Sequence, residues 1–293
     1  MSDSQSSLIE PPSGGPPFGG PQRPVFATSA TSTSTGSATS SQFADAEGPE
    51  GDPAPLRGRL AVITGGAGLL GAAMAAELGA RGADICLMGH DADELRRVLS
   101  TLGDGVRSMM LRGDLATESE VLAAVDFVER IDRPVDLLIH AAGLQAPATI
   151  ATGPVEGLDE HYLLNVRGPY LLTQKLLGSL AATGGQVVFF TASESAATEP
   201  APGDAHHTIS QAGMQAFATE LSVEAARSGI RVLTVDAVAQ TWTEVSGVVG
   251  GPSGQTLLTA LARSVVDTLV ERGVDVTELR VRQPSGSART ERR

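Results

Sequence analysis

Gly65, Gly68 and Gly71 recur every three residues, directly behind the apolar run Leu60-Ala61-Val62-Ile63 and at the head of a run of helix formers that reaches Ala80. A phosphate-binding turn needs this order of strand, tight turn and helix start. The first glycine reaches backbone angles closed to residues with a Cβ. The second lets a phosphate approach the main chain, and the third lets the helix pack close to the strand. Unpaired N–H groups at the helix start then face the anion. Thr64, Gly65, Gly68, Leu69, Leu70 and Gly71 are therefore candidate nucleotide-binding residues, and the run Ala83 to Met88 supplies the adjoining strand. The plainer alternative is a turn that keeps its glycines for packing alone.

The other side chains capable of chemistry are spread along the chain: His140, Asn165, Ser193-Glu194 and His206-His207. An imidazole carries a proton near neutral pH. No second ligand accompanies these histidines at useful spacing, so no metal site is expected. His206-His207 also reads as an exposed helix start, His140 as a hydrogen-bonded histidine at a strand end, and Glu194 as a solvated loop charge. Cys86 is the only cysteine, which excludes an internal disulfide, and mid-strand it reads as a small buried apolar residue.

From about Arg57, apolar strand candidates (60–64, 83–88, 108–111, 135–140, 186–191, 230–236, 276–281) alternate with helical patterns near 69–80, 91–102, 117–131, 157–182, 205–227 and 254–272. Such alternation predicts a doubly wound, parallel seven-stranded α/β sheet in a single domain, covered on both faces. Ligands of such sheets lie beyond the strand C-termini, where strand order reverses. Residues 1–56 are rich in Ser, Thr, Gly and Pro and are expected to be a disordered tail; the domain is placed at 57–283, and 284–293 is a second polar tail. The net charge of −13 with dispersed basic residues argues against nucleic acid and anionic membranes. With neither a signal peptide nor a transmembrane run, a cytoplasmic location is expected.

The glycine turn resembles that of the short-chain dehydrogenase/reductase family, and further landmarks follow in order. Asp114-Leu115 resembles the acidic pair that holds adenine. His140-Ala141-Ala142-Gly143 resembles the family's Asn-Asn-Ala-Gly. Asn165 matches the asparagine of the family's catalytic tetrad, and Gly185 to Ser193 resembles the strand that ends in its serine. Pro202-Gly203 and Ser210-Gln211-Ala212-Gly213 resemble the segment that carries the Tyr-x-x-x-Lys pair. The resemblance spans about Arg59 to Val281. It implies a Rossmann-type fold and an NAD(P) cofactor, with cofactor contacts that include Ala141, Ala142 and Gly143. It also implies a small-molecule substrate and hydride transfer between nicotinamide and a carbonyl or alcohol carbon.

In this alignment the tyrosine position is His207 and the lysine position is Gln211. The only tyrosines, Tyr162 and Tyr170, and the only lysine, Lys175, lie upstream. Strict spacing puts the serine position on Glu194, whereas the strand pattern favours Ser193. His90 stands where an acid would select a free ribose hydroxyl or an arginine a 2′-phosphate, so the preference between NAD and NADP stays open. Two readings follow: an oxidoreductase in which His207 replaces tyrosine, assisted by Asn165 and Ser193, or a catalytically silent regulatory or partner subunit. Leu171-Leu172, Leu176-Leu177 and Met214-Phe217-Leu221 exceed the apolar surface that one sheet face requires. The family's pairing of these two long helices implies a homodimer or homotetramer.

Overall fold

The computed structural model describes residues 54–191, 204–237, 252–271 and 277–281. Along these residues run β1 (Leu60–Thr64), α1 (Leu69–Ala80), β2 (Asp84–Gly89), α2 (Ala92–Leu99), β3 (Ser108–Arg112), α3 (Glu118–Glu129) and β4 (Leu137–His140). Next come α4 (Val155–Tyr162), a π-helical turn (Leu163–Arg167), α5 (Gly168–Thr183), β5 (Gln186–Thr191) and α6 (Ala205–Ala225). A 3-10 turn (Ala226–Ser228), β6 (Arg231–Ala237), α7 (Pro252–Val270) and β7 (Glu278–Val281) complete the order. The strands form one sheet of order β3-β2-β1-β4-β5-β6-β7, every neighbouring pair parallel. The doubly wound α/β expectation holds.

Alternation along each strand divides the core in two. Ala61, Ile63, Ile85, Leu87, Leu137 and Ile139 face α1 and α7. Leu60, Val62, Cys86, Met88, Leu138 and Phe189 face α3, α5 and α6. A strand buried on both faces reads as a continuous apolar run, which is why β1 and β4 were legible as such. Cys86 is buried, and burial pushes its thiol pKa up to about 12, so it is inert at neutral pH. Leu56 also packs into the first layer, and its N–H donates to the Arg81 carbonyl at 3.0 Å.

One expectation changes. The single helix expected over 157–182 is interrupted by the π-helical turn, whose widened ladder repositions Asn165. Part of the apolar surface on the two long helices is used within the subunit. Leu172, Leu176, Met214 and Leu221 are buried, and Leu171, Leu177 and Phe217 pack against the same layer. Leu171, Leu177 and Phe217 nevertheless stay partly exposed, and Tyr170, Ile209 and Val223 on the same two helices are exposed.

Candidate functional site

The site begins at the crossover between β1 and β4, where strand order reverses. Gly65 has φ +64°, and a Cβ there would lie 2.6 Å from both Cα and N of Ala142. Backbone angle and close approach both require glycine. A Cβ on Gly71 would lie 2.3 Å from the Gly65 carbonyl oxygen, so only glycine lets α1 close onto the turn. Gly68 differs. It is the N-cap of α1, with φ −71° and ψ 160°, angles open to any residue. A Cβ there would meet only the Gly65 oxygen at 3.2 Å. Packing constrains this position far less than Gly65 or Gly71, and a Ser or Asp side chain would cap the helix. No side chain caps α1, so its first N–H groups are left for an external acceptor, as a bound phosphate would supply. Leu70 is buried under the turn, whereas Leu69 is 47% exposed at its mouth.

Thr64 ties the two central strands at the same level. Its hydroxyl donates to the Ile139 carbonyl at 3.4 Å and accepts the Ala142 N–H at 3.3 Å. Beside it, His140 is fully buried, stacked on Phe189 with ring centroids 5.0 Å apart, and its Nε2 lies 2.8 Å from Thr173 Oγ1. Burial lowers its pKa to about 3, so the ring is neutral. It behaves as the hydrogen-bonded strand-end histidine of the plainer reading.

Beyond Gly143 the chain runs extended, with alternate residues tethered. Asn165 Oδ1 accepts the Leu144 N–H at 2.7 Å, and Nδ2 donates to the Leu144 carbonyl at 3.0 Å. His161 Nε2 accepts the Ala146 N–H at 3.2 Å, while Nδ1 donates to the Gly157 carbonyl at 2.6 Å. That pair of bonds fixes the tautomer of the ring. Ala148 accepts the Ala205 N–H at 2.9 Å at the head of α6. Gln145, Pro147 and Thr149, between these tethers, are exposed.

The head of α6 is built against this segment. Asn165 Nδ2 also donates to Ser210 Oγ at 2.9 Å, and Ser210 Oγ donates to the His207 carbonyl at 2.8 Å. His207 is partly exposed in the first turn, and Gln211 follows one turn later on the same face. His206 departs from an exposed helix start: it is buried, edge-on to His161 at 5.6 Å. A Cβ on Gly153 would lie 2.9 Å from its ring, and one on Gly157 3.2 Å. His161 and His206 gave no signal in sequence beyond residue type; their roles depend on glycines and amides supplied by the fold.

Tyr170 stays apart from this turn, and Tyr162 is exposed at the end of α4. Tyr170 packs on Phe217, ten residues along α6 from His207 or about 15 Å, and Lys175 is exposed on α5. Among the described residues no three His, Cys, Asp or Glu side chains converge on a metal position. Ser193, Glu194, Pro202 and Gly203 lie outside the described residues.

At the other end of the cleft, β2 closes with Gly89 and His90 is exposed. The Asp91 carboxylate accepts the N–H groups of Asp93 and Glu94 at 2.9 and 3.0 Å, capping α2; these bonds hold its pKa below the usual range. Asp114 Oδ1 accepts the Ala116 N–H at 2.9 Å, its own N–H donates to Glu120, and Leu115 is buried beneath. Sequence reasoning missed Arg112. It pairs with Gly89 in register, and its Nε donates to the His90 carbonyl at 3.2 Å. Its place directly after the strand candidate 108–111 was the available signal.

The glycine turn at a strand-order reversal, with the tethered segment after β4, defines a dinucleotide-binding α/β fold. Residues 59–247 match the family described as short chain dehydrogenase, and the chain belongs to that family. The NADPH-dependent aldehyde reductase-like protein of Arabidopsis thaliana is 28% identical over 193 residues, 61% of this chain and 71% of the relative. Nodulation protein G of Rhizobium meliloti is 29% identical over 185 residues, 63% and 73% of the two chains. Among solved structures, L-sorbose reductase from Gluconobacter frateurii, complexed with NADPH and L-sorbose, superposes with a TM-score of 0.67. It has 22% identity and covers 78% of this chain and 97% of that one.

Proposed function

We propose that this protein binds a nicotinamide dinucleotide, NAD(P)(H), along the C-terminal ends of β1 to β5 and is an oxidoreductase acting on a small carbonyl or alcohol. The observation that carries the reading is the uncapped glycine start of α1, set against Ala142 at the strand-order reversal. Gly65, Gly68 and Leu69 would hold the pyrophosphate, Asp114 and Leu115 the adenine end, and Ala141 to Gly143 the nicotinamide side. The bound dinucleotide would supply or accept the hydride. The NADPH-dependent aldehyde reductase-like relative and the NADPH complex of the structurally similar L-sorbose reductase support this cofactor class.

His207 is the proposed proton carrier to the substrate oxygen, at the position where the resembled family has tyrosine. Its backbone is fixed by Ser210 and through it by Asn165. Imidazole exchanges protons near neutral pH, and positioned acid–base catalysis contributes roughly 10²–10⁴ in rate. A specific observation favours a second reading, a silent nucleotide-binding regulatory subunit. Gln211, one turn from His207, brings no charge to tune a proton or clamp a ribose. A cytoplasmic location and a homo-oligomer through α5 and α6 are further parts of the proposal.

The double variant His207→Tyr with Gln211→Lys tests it, assayed with NADH and NADPH across a panel of aldehydes and ketones. Under the enzyme reading the wild type is active and the variant, or His207→Ala, loses that activity. An inactive wild type and an active double variant would establish the silent reading.

A further inference from the structure

We propose that Arg112 reads the 2′-phosphate of the dinucleotide and makes NADP(H) the preferred ligand of this site; the inference rests on the nucleotide reading above. In α/β dinucleotide folds the adenosine ribose lies at the C-terminal end of β2, where an acid favours a free 2′-hydroxyl and an arginine a 2′-phosphate. Neither Gly89 nor His90 supplies that choice. The structure brings the cation from the neighbouring strand instead. Arg112 is exposed as the last residue of β3, in register with Gly89.

Only one edge of the guanidinium is used. Nε donates to the His90 carbonyl at 3.2 Å, which anchors the group at the end of β2. The terminal nitrogens form the planar fork suited to a phosphate, and among the described residues no carboxylate comes within ion-pair distance of them.

The acids around this rim have other work. Asp91, the nearest in sequence to the ribose position, is turned into α2, where it accepts two N–H groups. His90 and Arg97 also stand near enough to help lower its pKa. Asp93 is paired with Arg96, and Glu120 accepts the Asp114 N–H. A carboxylate committed to a helix cap is poorly placed to hold a ribose hydroxyl, and a fork anchored beside it is well placed for a phosphate.

The test is calorimetric titration of the full chain with NADP+ and NAD+, repeated for Arg112→Ala and Arg112→Lys. Hydrogen bonds to a charged group correspond to about tenfold to hundredfold in affinity. The wild type is expected to favour NADP+ by about that factor. Arg112→Ala is expected to bring the two constants together by weakening NADP+ alone, and Arg112→Lys to restore part of the difference. NAD+ binding by the same sample controls for folding. Equal affinities or an NAD+ preference in the wild type, or a ratio that Arg112→Ala leaves unchanged, overturns the assignment and leaves the nucleotide site standing. Binding of neither dinucleotide overturns both.

Discussion

Asn165 and Ser210, 45 positions apart, are hydrogen-bonded at 2.9 Å, and the same Asn165 amide holds both backbone groups of Leu144. One buried side chain thereby ties the segment after β4 to the turn of α6 that carries His207. Its carbonyl oxygen and both N–H directions are occupied by protein, so in this chain the asparagine acts as the frame of the cleft.

Asn165→Ala should accordingly act on structure as well as on any activity. It orphans the Leu144 N–H and carbonyl, and each buried group left unpaired costs about 1–3 kcal/mol. The expected outcome is a fall in Tm of several degrees, with amide hydrogen exchange accelerated at Leu144 ahead of the β4 core. Unchanged exchange at Leu144 would show that the amide does not hold this segment.

Gly68 and Gly71 should separate stability from binding. Gly71→Ala forces a methyl group to 2.3 Å from the Gly65 oxygen, and overpacking of this kind costs about 1–3 kcal/mol. Both Tm and nucleotide affinity should drop. Gly68→Asp puts a Cβ 3.2 Å from the Gly65 oxygen, a tight contact that the turn relieves by shifting a few tenths of an ångström. It also adds a capping carboxylate that offsets this cost, so Tm should change far less than in Gly71→Ala. The same carboxylate occupies the place of a phosphate, so dinucleotide affinity should fall about tenfold or more. Differential scanning calorimetry beside binding titrations checks both. Retained affinity in Gly68→Asp would remove α1 as the anion site.

His140 should give the protein an acid-sensitive term. Burial lowers its pKa from 6.5 to about 3, so between those values the unfolded chain binds a proton that the folded chain does not. Stability from this group is complete above pH 6.5 and is lost as pH falls towards 3. The steepest slope is about 1.4 kcal/mol per pH unit. Urea midpoints across this range should therefore fall less steeply for His140→Asn than for the wild type. Parallel curves would place the acid loss elsewhere.

Every strand and the glycine turn were legible because their signals are local: apolar runs bounded by turns, and glycines at a fixed spacing. The site was legible only in part. Asn165 could be named, but the π-helical turn that aims it leaves no mark in a hydrophobic period. His206 looked like a polar helix start because its cavity is made by Gly153 and Gly157, fifty residues earlier. Arg112 meets His90 only because β3 lies beside β2, and strand adjacency is a property of the sheet. How the apolar residues of α5 and α6 divide between core and surface was not legible either, since the facing α3 and the rings of Phe189 and Phe217 take up part of that surface.

The turn Leu163–Arg167 means that α4, the turn and α5 form one rod with a residue more than a regular ladder would accommodate. A deletion of one residue there would relax the rod into an unbroken α-helix and rotate everything before it by about 100° relative to α5. Asn165 would then swing off Leu144, and Leu164 beside it would leave the apolar layer it packs against. The cleft is thus held open by a length mismatch: a chain shortened by a single residue there would keep its sheet and lose its site.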